Sequence, residues 1–387
     1  MLVSRFPFPL DKGDKLRAYY QLKELSASYD ITLVALSDKK IPEKHIEQIS
    51  QFCQNVHVCH LTWFSRLLGM MRCVFNNRPF QTGYFYNIQT QRRIKSLIQQ
   101  NNFKHIFCQL IRTTEYVKNV HNIPKTLDYM DALSAGIRRR IDQQPLYKKW
   151  LFRMESRRLI KYEQYIFDYF ENKVIISEQD RKLIHHPEQD KIECIPNGID
   201  SAFFDTVEGT QDHTFVFVGN MSYPPNIDAV HFIAEKILPK FKDSTLLISG
   251  SSPSSSVQQL AANSDNITLT GWVDDIRTSY IRGKIFLAPM MIGTGMQNKL
   301  LEAMAMKTPC VTTPLANNAI KATHGKEVLV GSTTEELIDS IQRLMDDPSF
   351  SKELAINASK YVQNNYSWDT SVDQLNDLFK ADMFSDK

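Results

Sequence analysis

The sequence predicts an α/β protein built from two Rossmann-like domains. The first observation is the length: 387 residues exceed what one hydrophobic core usually organises, so two domains are expected. The second is a composition of 42% hydrophobic and 11% aromatic residues, which is typical of globular chains and argues against disorder. The third is an alternation of short apolar runs with longer amphipathic stretches, which predicts parallel sheets with crossover helices.

Short apolar runs predict the strands, and the amphipathic stretches between them predict the helices. In the first half of the chain the predicted strands are 30–37, 55–61, 105–110, 126–131 and 172–177. The same rhythm returns in the second half, where the predicted strands are 213–220, 244–250, 266–272, 284–290 and 309–313. We therefore predict one domain over 1–187 and a second over 188–365.

Charge and cysteine usage argue against several classes of function. The net charge is +3 and no known nucleic-acid module is present, so no nucleic-acid partner is expected. The six cysteines form no C-x-x-C pair and there is no D-x-D motif, so no metal or other cofactor is expected. No signal-peptide pattern and no run of about 18 apolar residues occurs, which favours a cytoplasmic location.

The stretch "GTGMQNKLLEAMAMKTPCVTT" (293–313) carries the clearest chemical pattern. A glycine turn leads from a predicted strand into a helix, and the free N–H groups of a helix start attract anions. The residues expected at this anion site are Gly293, Thr294, Gly295, Met296, Gln297 and Asn298. Lys299 places a positive charge near the start of the helix, which destabilises the isolated helix. Binding of a ligand phosphate would explain why a lysine stands at this position. Glu302, one turn later, can accept hydrogen bonds from a ribose diol.

This arrangement predicts a site for a nucleotide diphosphate, with Lys299 on phosphate and Glu302 on ribose. The alternative is an ordinary exposed Lys–Glu pair on a surface helix, which contributes only a few tenths of a kcal/mol. The residues of this stretch alone do not decide between the two.

Several further stretches, taken in order, resemble the retaining glycosyltransferases with the GT-B fold (group 1, family 4), in particular their exopolysaccharide-type subgroup. Besides the 293–313 stretch they are "DKGDKLRAYYQLKEL", "KIECIPNGIDSAFF", "FVFVGNMSYPPNIDAVHF", "ITLTGWVDDIRTSYI" and "YSWDTSVDQL". The resemblance covers nearly the whole chain. It implies two Rossmann-like domains facing each other across a cleft, with the acceptor side in 1–187 and the donor site in 188–365. It also implies that a last helix over 366–387 packs back on the first domain.

The same resemblance implies an activity. The chain is expected to move a sugar from a UDP- or GDP-type nucleotide sugar to a glycan or lipid-linked acceptor, in cell-surface polysaccharide synthesis and without a metal. Lys299 is expected to stabilise the charge that grows on the leaving diphosphate. Further donor contacts are expected from Gly13, Lys15, Gly219, Asn220 and Val273.

Two acidic residues of the first domain are further catalytic candidates. Asp14 follows Gly13 and is expected to accept a sugar hydroxyl, or alternatively to cap the following helix. Asp131 follows the predicted strand "TLDYM" and is expected at the cleft, or alternatively as a cap of the next helix. Arg112, after "IFCQL", is a weaker candidate for contact with an acidic acceptor group.

The chain departs from the family pattern at two places. Thr294 stands where the family usually has a glutamate, and Asn220 and Asn226 stand near the positions of its usual diphosphate-binding arginine and lysine. Lys299, the turn amides, Lys15 or Arg17 are candidates to replace that contact. The alternative reading is a degraded GT-B protein that binds nucleotide or glycan without turnover.

Two stretches of the first domain combine basic and aromatic residues, 61–80 and 147–170. Such stretches can lie on an anionic membrane surface, and a peripheral contact at the inner face of the membrane would present a lipid-linked acceptor. The alternative is that the aromatic residues are core and the basic residues form a solvated face.

Overall fold

The structure is a computed structural model that describes residues 1–141, 144–292 and 296–384, and it divides the chain into two compact units. Unit 1 comprises Met1–Asn197 together with the segment that begins at Trp368, and unit 2 comprises Gly198–Ser367. The division after Asn197 lies beyond the predicted boundary at 187/188. The reason is that Glu193–Cys194 forms one more strand of the first sheet, which a two-residue run does not reveal in the sequence.

Unit 1 is built on a parallel sheet that has seven strands among the described residues. They are β1 (Leu2–Val3), β2 (Thr32–Ser37), β3 (Asn55–His60), β4 (Ile106–Gln109), β5 (Lys125–Asp128), β6 (Asn172–Ile175) and β7 (Glu193–Cys194). Their order across the sheet is β3-β2-β1-β4-β5-β6-β7, and every neighbouring pair is parallel. The sheet therefore grows in one direction from β1 to β3 and in the other from β4 to β7.

Helices cover both faces of this sheet, which is why its central strands are apolar on both sides. They are α1 (Gly13–Leu25), α2 (Glu43–Ser50), α3 (Trp63–Asn76), α4 (Phe80–Tyr84), α5 (Ile88–Gln100), α6 (Leu133–Arg139), α7 (Leu146–Phe167) and α8 (Glu178–Arg181). Fully buried side chains such as Leu33, Cys108 and Val174 come from the strands. α1 contributes Leu22 to one of the two cores that flank the sheet.

Unit 2 repeats the architecture on a second parallel sheet. Its strands are β8 (His213–Val218), β9 (Leu246–Ser249), β10 (Ile267–Gly271), β11 (Gly283–Ala288), β12 (Cys310–Thr312) and β13 (Leu329–Val330). Its helices are α9 (Pro224–Phe232), α10 (Ser255–Ala262), α11 (Arg277–Arg282), α12 (Asn298–Ala305), α13 (Pro314–Asn317), α14 (Thr334–Asp346) and α15 (Pro348–Asn365). The strand order is β10-β9-β8-β11-β12-β13. The prediction of two parallel-sheet, Rossmann-like domains is confirmed.

The last helix, α16 (Trp368–Phe384), packs on unit 1. The Trp368 ring stacks on Tyr20 of α1, with ring centroids 4.8 Å apart. Leu375 and Phe379 are buried in the same core as α1. The chain thus returns to its first unit after completing the second.

Candidate functional site

In unit 2, the direction of sheet growth reverses between β8 and β11. In open parallel sheets, ligands bind at the carboxyl ends of the strands, at the point where this reversal separates the loops. The loop after β8 begins with Gly219 and Asn220, and the segment after β11 leads into α12, which carries Lys299 and Glu302. The fold therefore brings these predicted residues to one edge of the sheet.

Lys299 is half-buried and is held by neutral groups. Its ammonium donates a hydrogen bond to the side-chain oxygen of Asn226, lies 3.8 Å from the sulfur of Met290, and sits 5.0 Å from the centre of the Phe217 ring. Burial lowers the pKa of Lys299 to about 8, although the negative charge of Glu302 partly opposes this shift. No carboxylate of the described residues lies within ion-pair distance, so this cation is not neutralised by the protein.

Glu302 is held by a partner from a different helix. The Tyr280 hydroxyl, fully buried in α11, donates to Oε2 of Glu302 at 2.6 Å. Burial raises the pKa of Glu302, while the Tyr280 hydrogen bond and the Lys299 charge oppose this shift. No described residue donates to the other carboxylate oxygen, Oε1. Lys299 and Glu302 are therefore not an exposed surface pair: each is fixed from outside α12.

The loop after β8 is tightly built around Asn226, which is buried in the first turn of α9. The Asn226 amide donates to the backbone oxygen of Asn220 at 2.9 Å, while its oxygen accepts from Lys299. A side chain at Gly219 would meet the Asn226 amide nitrogen at 2.6 Å, so a larger residue there would displace the Asn226 side chain. The Asn220 side-chain oxygen accepts from the backbone and the hydroxyl of Ser222. The hydrogen bonds of the described residues thus engage both oxygens of Asn220 as acceptors.

The remaining predicted residues of unit 2 surround this edge or lie outside the described residues. Val273 is half-buried just beyond the carboxyl end of β10, next to the exposed Trp272. Met296 packs against the core of unit 2, and Gln297 and Asn298 form the N-cap and first residue of α12, without a side-chain cap. Gly293, Thr294 and Gly295 lie outside the described residues.

Unit 1 has its own reversal of strand order, between β1 and β4, and predicted residues gather there as well. Asp14 accepts a hydrogen bond from Arg5 at 2.6 Å, and its backbone oxygen accepts from Gln109 at the end of β4. Gly13 begins α1, and Lys15 forms an ion pair with Asp11 at 2.8 Å. The alternative that Asp14 caps α1 is wrong, because Lys12 occupies the N-cap position.

Asp131 lies beyond β5 at the same edge of the first sheet. Its side chain reaches solvent. Desolvation by the surrounding protein and repulsion from Asp180 nevertheless raise the pKa of Asp131 to about 6, and the attraction of Arg112 opposes this shift. It does not cap α6, whose N-cap is Ala132. Instead Glu163 of α7 accepts from the Ser134 backbone at 2.9 Å.

Arg17 does not contact a ligand phosphate, because it is fully buried in unit 1. Its guanidinium donates to Asp128 at 2.6 Å, to Asn197 at 2.8 Å and to the backbone oxygen of Ile195 at 3.0 Å. Gln21 also donates to Asp128. This network joins α1 to β5 and to the end of unit 1, so Arg17 has a structural role.

The two residues that fix the candidate pair, Asn226 and Tyr280, are not recognisable as its partners in the sequence. The resemblance places Asn226 near the diphosphate-binding positions of the family, and no motif singles out Tyr280. Both act across long separations in the chain, 73 residues for Lys299–Asn226 and 22 for Glu302–Tyr280. No local periodicity connects such pairs; the "PPN" after a glycine turn was the only available signal.

The two basic aromatic stretches behave differently in the structure. α3 is packed through Gly69 and Cys73, and its apolar side chains point outward, with Trp63 69% and Phe75 87% exposed. In α7 the first turns expose large apolar side chains, among them Trp150, and Tyr165 is partly exposed near the end of the helix; residues such as Leu159 are core. Across the residues that the structure describes, every helix is too short or too polar to cross a membrane.

Comparisons with known proteins agree with this geometry. The family model described as "Glycosyl transferases group 1" matches residues 212–347, which contain the edge formed by β8, β11 and α12. An "uncharacterized 44.6 kDa protein in cps region" of Klebsiella pneumoniae is 23% identical over 385 residues, covering 93% of this chain and 94% of that protein.

Two solved structures share the fold over almost the whole chain. Sucrose-phosphate synthase from Thermosynechococcus elongatus superposes with a TM-score of 0.68 at 15% identity, covering 98% of both chains. The Anabaena protein HepE in complex with UDP gives a TM-score of 0.68 at 12% identity, covering 98% of this chain and 99% of that one. At these identities the likeness concerns the fold.

Proposed function

We propose that this chain, a glycosyltransferase with the GT-B fold whose residues 212–347 form a group 1 domain, transfers a sugar from a nucleotide-diphosphate sugar to a glycan or lipid-linked acceptor with retention of configuration. The UDP complex of HepE supports UDP as the nucleotide. The cps-region relative supports a role in polysaccharide synthesis.

The observation that carries the proposal is the state of Lys299. A half-buried ammonium with a lowered pKa and no ion-pair partner in the described part of the chain is costly to the fold, since burial removes its hydration. It lies at the reversal point of a parallel sheet, where ligands bind. A diphosphate would supply the missing negative charge, and Lys299 would then stabilise the charge that develops as the sugar leaves.

Glu302 complements this role by binding a neutral part of the donor. Its Oε1 is free of described donors, and a ribose diol offers two hydroxyl groups that a carboxylate can accept. The Tyr280 hydrogen bond favours the ionised form that this contact needs.

The reaction that we propose needs few protein groups. The bond from the sugar to the diphosphate oxygen breaks, the acceptor oxygen bonds to the same face of that carbon, and the departing diphosphate takes the acceptor proton. The protein orients the two substrates and stabilises charge, which requires no metal. In unit 1, Asp14 and Asp131 are proposed to hold acceptor hydroxyl groups.

We also propose that unit 1 rests on an anionic membrane through α3. Its outward apolar side chains, including Trp63 and Phe75, are flanked by Arg66 and Arg72. An apolar helix face bordered by arginine is the pattern of interfacial helices. Such a contact would bring unit 1 to lipid-linked acceptors at the inner face of the membrane.

Calorimetric titration of UDP and UDP-glucose into the wild-type chain and Lys299→Ala tests the proposal. We expect the variant to bind UDP about tenfold to a hundredfold more weakly, because a charge-assisted contact is lost. Transfer or donor hydrolysis should fall by about 10²–10³. Lys284→Ala is the matched control, since Lys284 is exposed at the opposite end of β11.

The outcomes decide whether the donor site lies at this edge and whether the chain is an enzyme or a binding protein. Equal UDP affinity of the wild type, Lys299→Ala and Lys284→Ala would remove the donor site from this edge. UDP binding that depends on Lys299, without hydrolysis or transfer to any acceptor, would favour a binding protein over an enzyme.

A further inference from the structure

A groove of about 900 Å³ lies at the carboxyl edge of the first sheet, on the side of β1 and β2. It is formed by the loops after these strands, the start of α2, α4 and the residue Arg112 that follows β4. Its wall includes two aspartates and seven lysine and arginine residues. Those without a carboxylate partner among the described residues are Lys12, Lys39, Lys40, Arg112 and Arg140.

The acidic residues of this groove are already engaged. Asp11 forms its ion pair with Lys15, at 2.8 Å. Asp38 accepts from Tyr84 at 3.2 Å and lies 3.4 Å from Arg66. The groove therefore keeps a large excess of positive charge, whereas the whole chain is close to neutral at +3.

Arg112 is the best oriented of these cations. Its Nε donates to the side-chain oxygen of Gln81 at 2.8 Å, and its guanidinium sits 5.1 Å from the centre of the Phe85 ring. Burial, together with repulsion from Arg5 and Arg140, lowers the pKa of Arg112 to about 10, although the attraction of Asp14 and Asp131 opposes this shift. Both contacts are to neutral groups, so they fix the direction of the guanidinium without cancelling its charge.

This placement differs from that of a solvated surface arginine. The half-buried Arg112 guanidinium is repelled by Arg5 and Arg140 and attracted by Asp14 and Asp131. It makes no ion pair with a described carboxylate, so an added oxyanion can still pair with it. It also stands at the reversal of strand order in unit 1, where α/β sheets bind ligands. A planar guanidinium matches the oxygen pair of a carboxylate or a phosphate.

We propose that this groove binds an oxyanion carried by the acceptor, with Arg112 as its anchor. The inference rests on the proposed function and specifies its acceptor as an anionic saccharide. The oxyanion is either a carboxylate on an acceptor sugar or the diphosphate that joins a sugar to a lipid. Lys39 and Lys40, exposed at the groove rim, add attraction at longer range.

Two pairs of probes test the proposal by calorimetric titration into the full chain saturated with UDP. Geranyl diphosphate is compared with geraniol, and methyl glucuronoside with methyl glucoside. At least one anionic probe should bind about tenfold more tightly than its neutral partner. If it is geranyl diphosphate, the oxyanion is the lipid diphosphate; if it is the glucuronoside, the oxyanion is a sugar carboxylate.

Variants assign the binding to the groove. Arg112→Gln should bind the preferred anionic probe about tenfold more weakly and bind UDP as the wild type does. Arg92→Gln, an exposed arginine on α5 outside the groove, is the matched control. The double variant Lys39→Gln/Lys40→Gln changes only exposed side chains, and it should also weaken the anionic probe even if Arg112→Gln folds poorly.

The proposal is overturned if neither anionic probe binds better than its neutral partner, or if the groove variants bind the probe as Arg92→Gln does. It is also overturned if Arg112→Gln loses UDP affinity, because the groove would then serve the donor. Failure of the proposed function has a separate signature: the wild type would not bind UDP at all, which is measured first.

Discussion

Lys299 donates a hydrogen bond to Asn226, so the cation of α12 is positioned by the first turn of α9. Asn226 in turn donates to the backbone of Asn220 at 2.9 Å. One buried amide thus connects the segments that follow β8 and β11. An uncharged partner orients the ammonium and leaves its charge available for a ligand.

Asn226→Asp should weaken donor binding by replacing this neutral partner with a carboxylate. The new charge would pair with Lys299, raise the pKa of Lys299 above 8, and repel a diphosphate. We expect UDP affinity at pH 7 to fall about tenfold or more, measured by calorimetry. Asn266→Asp is the control, because Asn266 also donates to a backbone oxygen, that of Ser244, at the amino end of the sheet. Unchanged or tighter UDP binding in Asn226→Asp would contradict the assignment.

The pKa of Lys299 predicts opposite pH trends for binding and stability. Above about pH 8 the free protein loses the proton that attracts diphosphate, so UDP affinity should fall by up to roughly tenfold per pH unit until it reaches that of Lys299→Ala. The unfolded chain keeps that proton up to its ordinary pKa of 10.5, and so binds more protons between these values. Lys299 therefore makes the free energy of unfolding rise with pH in this window.

Comparison with Lys299→Ala isolates both trends, since other groups titrate in the same range. UDP titrations and urea unfolding at pH 7 to 10.5 should show that the variant lacks the affinity loss and part of the stability gain. Parallel curves for the two proteins would show that Lys299 carries no lowered pKa.

Tyr280→Phe should impair Glu302 without altering the packing of α11. The variant removes the hydroxyl that donates to Glu302 at 2.6 Å, and loss of this bond raises the pKa of Glu302 further. We expect turnover to fall about tenfold to a hundredfold, and the acidic limb of its pH profile to move to higher pH. Tyr361→Phe, which removes a hydroxyl bonded to the backbone of Ile320, is the control. An unshifted acidic limb in Tyr280→Phe would argue against a role for ionised Glu302.

Trp63→Ser/Phe75→Ser should abolish binding to anionic vesicles. Both side chains are largely exposed on α3, and burying each in a bilayer interface would contribute about 1.5–3 kcal/mol. Vesicles containing phosphatidylglycerol should bind the wild type more strongly than pure phosphatidylcholine, and salt should weaken this preference. Met345→Ser removes an exposed apolar side chain of unit 2 as the control. Equal flotation of the wild type and the double variant would exclude α3 as the contact.

The sequence was sufficient for the strands of three or more residues, because each lies within an apolar run, and the central strands are buried on both faces. It could not reveal β1, β7 or β13, whose two-residue lengths carry no periodicity. It placed Lys299 and Glu302 on one helix next to a glycine turn, which follows from local spacing alone.

The partners of these residues lie far away in the sequence, so local sequence patterns do not predict them. Tyr280 and Asn226 approach the pair only once the sheet has formed. The buried ion pair of Arg17 and Asp128 has the same origin, since the two residues are 111 positions apart. For this reason the sequence suggested that Arg17 contacts a phosphate, whereas in the fold Arg17 has a structural role.

A structure of the chain determined with bound UDP tests the central claim most directly. The account predicts that the diphosphate lies at the start of α12, within hydrogen-bond distance of the Lys299 ammonium, with the ribose hydroxyls at Glu302. A diphosphate bound elsewhere, with Lys299 still held only by Asn226 and Met290, would contradict it.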